Sequence, residues 1–175
     1  IGDLVRCTGY RGQAPVIEFL QKLSNCADME GGKISEHQVA QAVSRSAQAL
    51  QVNIDLFTAV PIRPEKESPY YALLVEEQCV PDDKVAQKLL QLVDRDLIGQ
   101  NVMYSGKRSD NYIGAWKLLR LPRGSWARYV DAVMQQRGTG DSQYKHPALV
   151  IDSKWLDKFR PVSSVSGDTG ARWVA

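Results

Sequence analysis

Three charged residues stand beside glycines between well-patterned segments, where binding and catalytic side chains tend to gather. Asp3 follows Gly2 in Ile1-Gly2-Asp3-Leu4-Val5-Arg6. Lys33 follows Gly31 and Gly32 and stands just ahead of a helical pattern. Lys145 lies in GTGDSQYKHP, after two glycines and before a proline. A glycine-lysine pair raises the question of phosphate binding, because glycine lets backbone amides approach an anion and lysine adds charge. GGKIS nevertheless misses the phosphate-loop pattern: Ile34 stands where Ser or Thr should follow the lysine, and no glycine stands five residues before Gly32. The chain also lacks a GxGxxG, an HExxH and a serine in a nucleophile-elbow context. Taken singly, each of the three residues fits a turn or a solvated loop, and together they do not make a self-contained active site.

The elements that must position them are legible around them. PVIEFLQKL (15–23) alternates and is rich in β-formers, which predicts a strand, and NCADMEGGK follows as a turn-rich loop. SEHQVAQAVSRSAQALQ carries Val39, Val43, Ala47 and Leu50 at helical spacing, with Ser35 three residues before Gln38 as a capping box. NIDLFTAVPI (53–62) and YYALLVEEQ (70–78) predict an antiparallel pair joined by the proline-bracketed RPEKESP. PDDKVAQKLLQLVDRDL (81–97) predicts a second helix, with an acidic start and an apolar stripe of Val85, Leu89, Leu92 and Val93. GQNVMYSGKRSDNYIG reads as a polar connector leading to a strand, AWKLLRLP (115–122). GSWARYVDAVMQQRG predicts a third helix, capped by Ser125 and stopped at Gly138. The tail from Pro161 has loop composition, docked at most through Trp173. From Ser35 onward this order suits an α+β fold, a small ferredoxin-like sheet with helices packed on one face.

Bulk properties narrow the function classes. The 175 residues are 43% hydrophobic and 24% charged, with a net charge of +2, so no basic excess points to nucleic acid. No apolar run approaches transmembrane length. Cys7, Cys26 and Cys79 are sparse and odd in number, which fits reduced cytoplasmic thiols better than a disulfide framework. His37 and His146 have no partner at a zinc-like interval, so no metal site is expected.

Read in order, IGDLVRCTGY, VIEFLQKL, GGKISEHQVAQAV, YYALLVEE, GSWARYV and SQYKHP resemble the C-terminal part of the auxin-responsive acyl acid amido synthetases. These belong to the adenylate-forming superfamily, with acyl-CoA synthetases and firefly luciferase. The family's V-G-D-V-V-R-V-T-G-F is matched by Ile1-Gly2-Asp3-Leu4-Val5-Arg6, and its D-K-T-N-E loop by Gly32-Lys33-Ile34-Ser35-Glu36. Gly124-Ser125-Trp126 answers to a helix start, and Gln143-Tyr144-Lys145-His146-Pro147 to the closing Q-Y-K-x-P-R. The likeness spans about residues 1–150 and departs at two places. A basic doublet after the first strand is reduced to Lys22-Leu23, which bears on the hinge. The arginine after the last proline is Ala148, which bears on the seating of the lysine loop.

The resemblance implies the C-terminal part of an ATP-dependent ligase that joins a carboxylic acid to an amine or amino acid through an acyl-adenylate. Residues 1–23 would end an N-terminal nucleotide-binding domain and form the hinge near Lys22–Ser24, residues 24–160 would be the C-terminal lid, and 161–175 a tail. Asp3 would bind the ribose hydroxyls of ATP, Lys145 would be the mobile catalytic lysine of adenylation, and Lys33 an auxiliary nucleotide contact. Arg6 would serve near the hinge or in a structural salt bridge. ATP and Mg²⁺ would be the cofactors, and the partners would be the missing N-terminal domain and small acid and amine substrates. The fragment alone would be inactive. The alternative is a non-catalytic ferredoxin-like binding module derived from that family.

Overall fold

The computed structural model describes residues 3–22, 26–137 and 144–168. β1 (Asp3–Arg11) and β2 (Ala14–Lys22) form an antiparallel ribbon turned at Gly12, whose φ of +64° only glycine adopts cheaply. Tyr10, Val16, Ile17 and Phe19 of the ribbon are all exposed. Arg6 lies in register with Glu18 and pairs with it at 3.7 Å.

The turn-rich loop expected before the first helix is instead a hairpin, β3 (Cys26–Met29) with β4 (Gly32–Ser35). Each strand has only four residues, too few for a period-of-two pattern to stand out. Ala27, Met29 and Ile34 nevertheless point into the core while Asp28 and Lys33 point out. β4 runs into α1 (Glu36–Ala49) through the expected capping box, in which the Gln38 amide donates to Ser35 Oγ and the Ser35 amide to Gln38 Oε1.

The main sheet has the order β5 (Thr58–Ile62), β6 (Tyr70–Glu76), β7 (Lys117–Leu121), β8 (Ser163–Ser166). β5 and β6 are antiparallel as expected. β6 and β7 are parallel, joined by a crossover through α2 (Asp83–Gln100) and α3 (Val102–Ser109), and β8 closes the edge antiparallel to β7. The α+β class read from the sequence holds. α1 and α2 cover one face, where Val39, Val43, Leu89 and Val93 meet Leu73, Val75 and Leu118. The other face is covered too: α4 (Ser125–Arg137) and a 3₁₀ turn (Ser153–Lys158) bring Trp126 and Trp155 over Val60, Ala72 and Leu74. With both faces roofed, β6 is apolar from Tyr71 to Val75, as central strands must be. Among the described residues no helix is long and apolar enough to cross a membrane.

Three local readings change. The polar connector contains α3, because Asp94 on α2 gathers Tyr104 and Arg108 from it. Part of the tail from Pro161 is β8: Val165 is buried opposite Leu118, and the serine-rich sequence pairs because β7 offers it an open edge. Trp173 and Gly138 lie outside the described residues. Ser125 does not cap α4, since its hydroxyl donates to the Pro122 carbonyl. The cap comes from β6, where the buried Glu76 carboxylate accepts from the amides of Gly124 (3.1 Å) and Trp126 (2.8 Å) and from Gln78.

That arrangement predicts acid sensitivity. Burial pushes the Glu76 carboxyl upward, but the bonds from Trp126, Gln78 and Gly124 and the charge of Arg128 outweigh it and hold it below its ordinary value. A carboxyl depressed by folding adds stability above its unfolded pKa of about 4.3 and loses it as pH falls through the folded value. Glu76→Gln should therefore cost about 1–2 kcal/mol at neutral pH, as a lost cap does. By urea denaturation the gap to wild type should close below about pH 4; a gap that persists at low pH would rule out the charged cap.

Candidate functional site

The lysine loop enters the described structure at Tyr144, one residue before Lys145. Lys145 is exposed and forms no ion pair among the described residues. The residues just after it are pinned. His146 Nε2 meets Thr58 Oγ1 at 3.0 Å, Thr58 Oγ1 donates to the Pro147 carbonyl at 2.8 Å, and Tyr144 Oη lies 3.1 Å from His146 Nδ1. A hydroxyl has one proton, and Thr58 gives it to Pro147, so His146 must donate from Nε2 and accept at Nδ1. This assigns the neutral tautomer. Burial pulls the His146 pKa below its ordinary value against a backbone bond to Phe57 and the Glu36 charge, so the ring adds no second cation beside Lys145 at neutral pH. Trp126 packs edge-on against the ring at 4.7 Å.

Beyond Pro147 the chain lies along β5, with Ala59 N donating to the Ala148 carbonyl and Val150 N to the Ala59 carbonyl, both at 2.9 Å. The Ala148 amide in turn donates to Glu36 Oε1 at 2.8 Å. Residue 148 is thus held through its backbone, which any non-proline residue supplies, so the alanine in place of arginine leaves the seat intact.

Lys33 projects from β4 into solvent and reaches Asp28 across the hairpin at 3.8 Å. Both side chains are more than half exposed, so the pair contributes little and the ammonium is available. Its carbonyl is fixed by Asn101 Nδ2 at 2.6 Å, from the residue that caps α3. The two glycines before it serve the turn and the core: Gly31 has φ +84°, and a Cβ at Gly32 would lie 2.8 Å from the buried Ile113 Cδ1.

Glu36, the first residue of α1, joins the two lysine segments. Lys33 lies three residues before it, and Lys145 three residues before its partner Ala148. Asp3 heads β1 in register with Lys22, and its side chain lies outside the described residues, as do residues 23 and 24 of the expected hinge and Gln143. Sequence reasoning missed the anchoring roles of Glu36, Thr58, His146 and Trp126. Their only local signal was an acid directly behind a capping serine and a histidine directly behind the lysine.

Residues 37–154, two thirds of the chain and including Lys145, match the GH3 family C-terminal domain. The chain belongs to the GH3 family. The resemblance read from its motifs therefore holds. Among curated GH3 relatives, the indole-3-acetic acid-amido synthetase GH3.4 of Arabidopsis thaliana is 25% identical over 159 residues, covering 86% of this chain and 26% of the relative. The probable indole-3-acetic acid-amido synthetase GH3.9 of Oryza sativa subsp. japonica is 26% identical over 193 residues, covering 99% of this chain and 42% of the relative. Among solved structures, a GH3.15 acyl acid amido synthetase superposes with a TM-score of 0.78 at 21% identity, over 100% of this chain and 32% of that one. The chain thus spans from 26% to 42% of the length of these GH3 relatives.

Proposed function

We propose that this GH3 chain is the C-terminal lid of an ATP-dependent ligase that conjugates a carboxylic acid to an amine or amino acid through an acyl-adenylate. The observation that carries the reading is Lys145: a solvent-facing ammonium without an ion-pair partner among the described residues, on a segment anchored to α1 and β5. Formation of an acyl-adenylate brings a carboxylate against the α-phosphate of ATP, anion against anion, and the rising negative charge needs a cation at the reacting oxygens. A preorganised charge in a closed site supplies a few kcal/mol there. Lys145 would be that charge, carried in by the lid for adenylation and withdrawn for displacement of AMP by the amine. Asp3 would accept the ribose hydroxyls, and Lys33 would add an outer contact to the nucleotide.

The β1–β2 ribbon supports a larger partner. A two-stranded ribbon is marginal in water, and this one exposes Ile17 and Phe19. The missing N-terminal part of the same protein, holding the acyl pocket and most nucleotide contacts, would cover it. Among the described residues no group of three or more His, Cys, Asp or Glu is placed to hold a metal. Mg²⁺ would accompany the ATP phosphates. A cytoplasmic setting, where ATP is available and thiols stay reduced, suits this chemistry.

Acid-dependent exchange of pyrophosphate into ATP by the full-length protein tests the reading. Exchange is expected with a carboxylic acid and not without one, and the 175 residues alone should have none. Absence of exchange across a panel of carboxylic acids would return the chain to a binding module. Amide formation by the isolated chain would overturn its status as a lid.

A further inference from the structure

We infer that Glu36 and Thr58 are positioning residues for adenylation, acting through the footing of the Lys145 loop; the inference rests on the proposed role of Lys145. A lysine that must enter a second domain's site during one half-reaction needs a base that does not shift as the lid turns. The loop obtains one from both sides. Glu36, only 7% exposed, accepts the Ala148 amide across a separation of 112 residues, and it does so from the first turn of α1, a helix with a complete capping box. Thr58, fully buried on β5, holds both His146 and the Pro147 carbonyl with one hydroxyl. The loop residues they hold, His146, Pro147 and Ala148, all lie within three residues after Lys145, so the two anchors set the point and direction from which its flexible side chain leaves the domain.

A carboxylate is a good choice for such an anchor. It forms a charge-assisted bond to an amide that would otherwise be left without a partner, and the positive end of α1 favours its charge. The same α1 terminus is continuous with β4, which carries Lys33. One residue therefore registers both lysine segments against each other, and losing it would displace Lys145 without removing any charge from its side chain.

The test separates the two half-reactions in the full-length protein. Glu36→Ala and Thr58→Val should each lower the rate constant of acid-dependent pyrophosphate exchange between tenfold and a hundredfold, on the order expected for misplacing a reacting group by about 1 Å. The aminolysis of a chemically supplied acyl-adenylate should stay unchanged, because Lys145 is withdrawn in that step. Glu36→Gln keeps a carbonyl oxygen for the Ala148 amide and should restore exchange. An equal loss in both half-reactions, or no loss in either, would reduce these residues to ordinary structural contacts. Thr58→Val, nearly the same shape as wild type, keeps the test decisive if Glu36→Ala does not fold. Lys145→Ala run in parallel distinguishes failure of the underlying reading: undiminished exchange in that variant sinks the adenylation role itself, whatever Glu36 does.

Discussion

Lys145→Ala in the full-length protein is expected to lower acid-dependent pyrophosphate exchange on the order of a hundredfold or more, the loss caused by removing one preorganised charge from a developing anion. Aminolysis of supplied acyl-adenylate should be left intact. The size of the effect comes from the site. Among the described residues Lys145 has no carboxylate to neutralise it, and the neighbouring His146 is held neutral by burial, so no second cation stands beside it to compensate. Stability should hardly change, because the side chain is exposed and its loop is held by backbone groups and by residues other than Lys145. Lys145→Arg should recover only part of the rate. A guanidinium is broader and more weakly hydrated than an ammonium and cannot present the same point charge to a phosphoryl oxygen. Wild-type exchange in Lys145→Ala would leave this domain without an adenylation role.

The largest effect on stability is expected at Asp94, far from the lysine loop. Its buried carboxylate accepts from Tyr104 Oη at 2.5 Å and from Arg108, through Nε at 3.0 Å and Nη2 at 2.6 Å. Trp116 Nε1 donates to the same Tyr104 oxygen at 2.8 Å, and Arg108 Nη1 reaches the Ile113 carbonyl at 2.7 Å. Burial, followed by the Asp94 charge, drives the Tyr104 pKa well above its ordinary value, so the phenol remains a neutral donor. Burial works against the Arg108 charge, but the bond to Asp94 outweighs it and keeps the guanidinium ionised. Asp94→Ala leaves that guanidinium buried and unpaired, which costs about 3–5 kcal/mol. In a domain of this size the melting temperature should fall by roughly 10 °C. Guanidinium denaturation checks it; a loss under about 1 kcal/mol, the level of a solvent-exposed pair, would contradict a sealed network. The loss should also reach Lys33, because α3 carries Asn101 and Asn101 holds the Lys33 carbonyl.

Much of the fold and part of the site were legible from residues alone because their causes are local. A serine three residues before a glutamine, ahead of a helical apolar stripe, makes the start of α1 wherever it occurs. The run from Tyr71 to Val75 must be a strand buried on both faces, and the stripe of α2 is set by its own spacing. The three charged residues beside glycines, and the order of the motifs around them, were sufficient to point to the GH3 family. Whatever depends on residues far apart in the chain was decided only by the tertiary structure. β8 is a strand because β7 has an open edge, and α3 is a helix because Asp94 waits for Tyr104 and Arg108. α4 is capped by a glutamate nearly fifty residues upstream rather than by its own serine. The footing of Lys145 belongs to the same class: Glu36 and Ala148 are separated by 112 residues, and no local pattern in either segment specifies that their hydrogen bond will form.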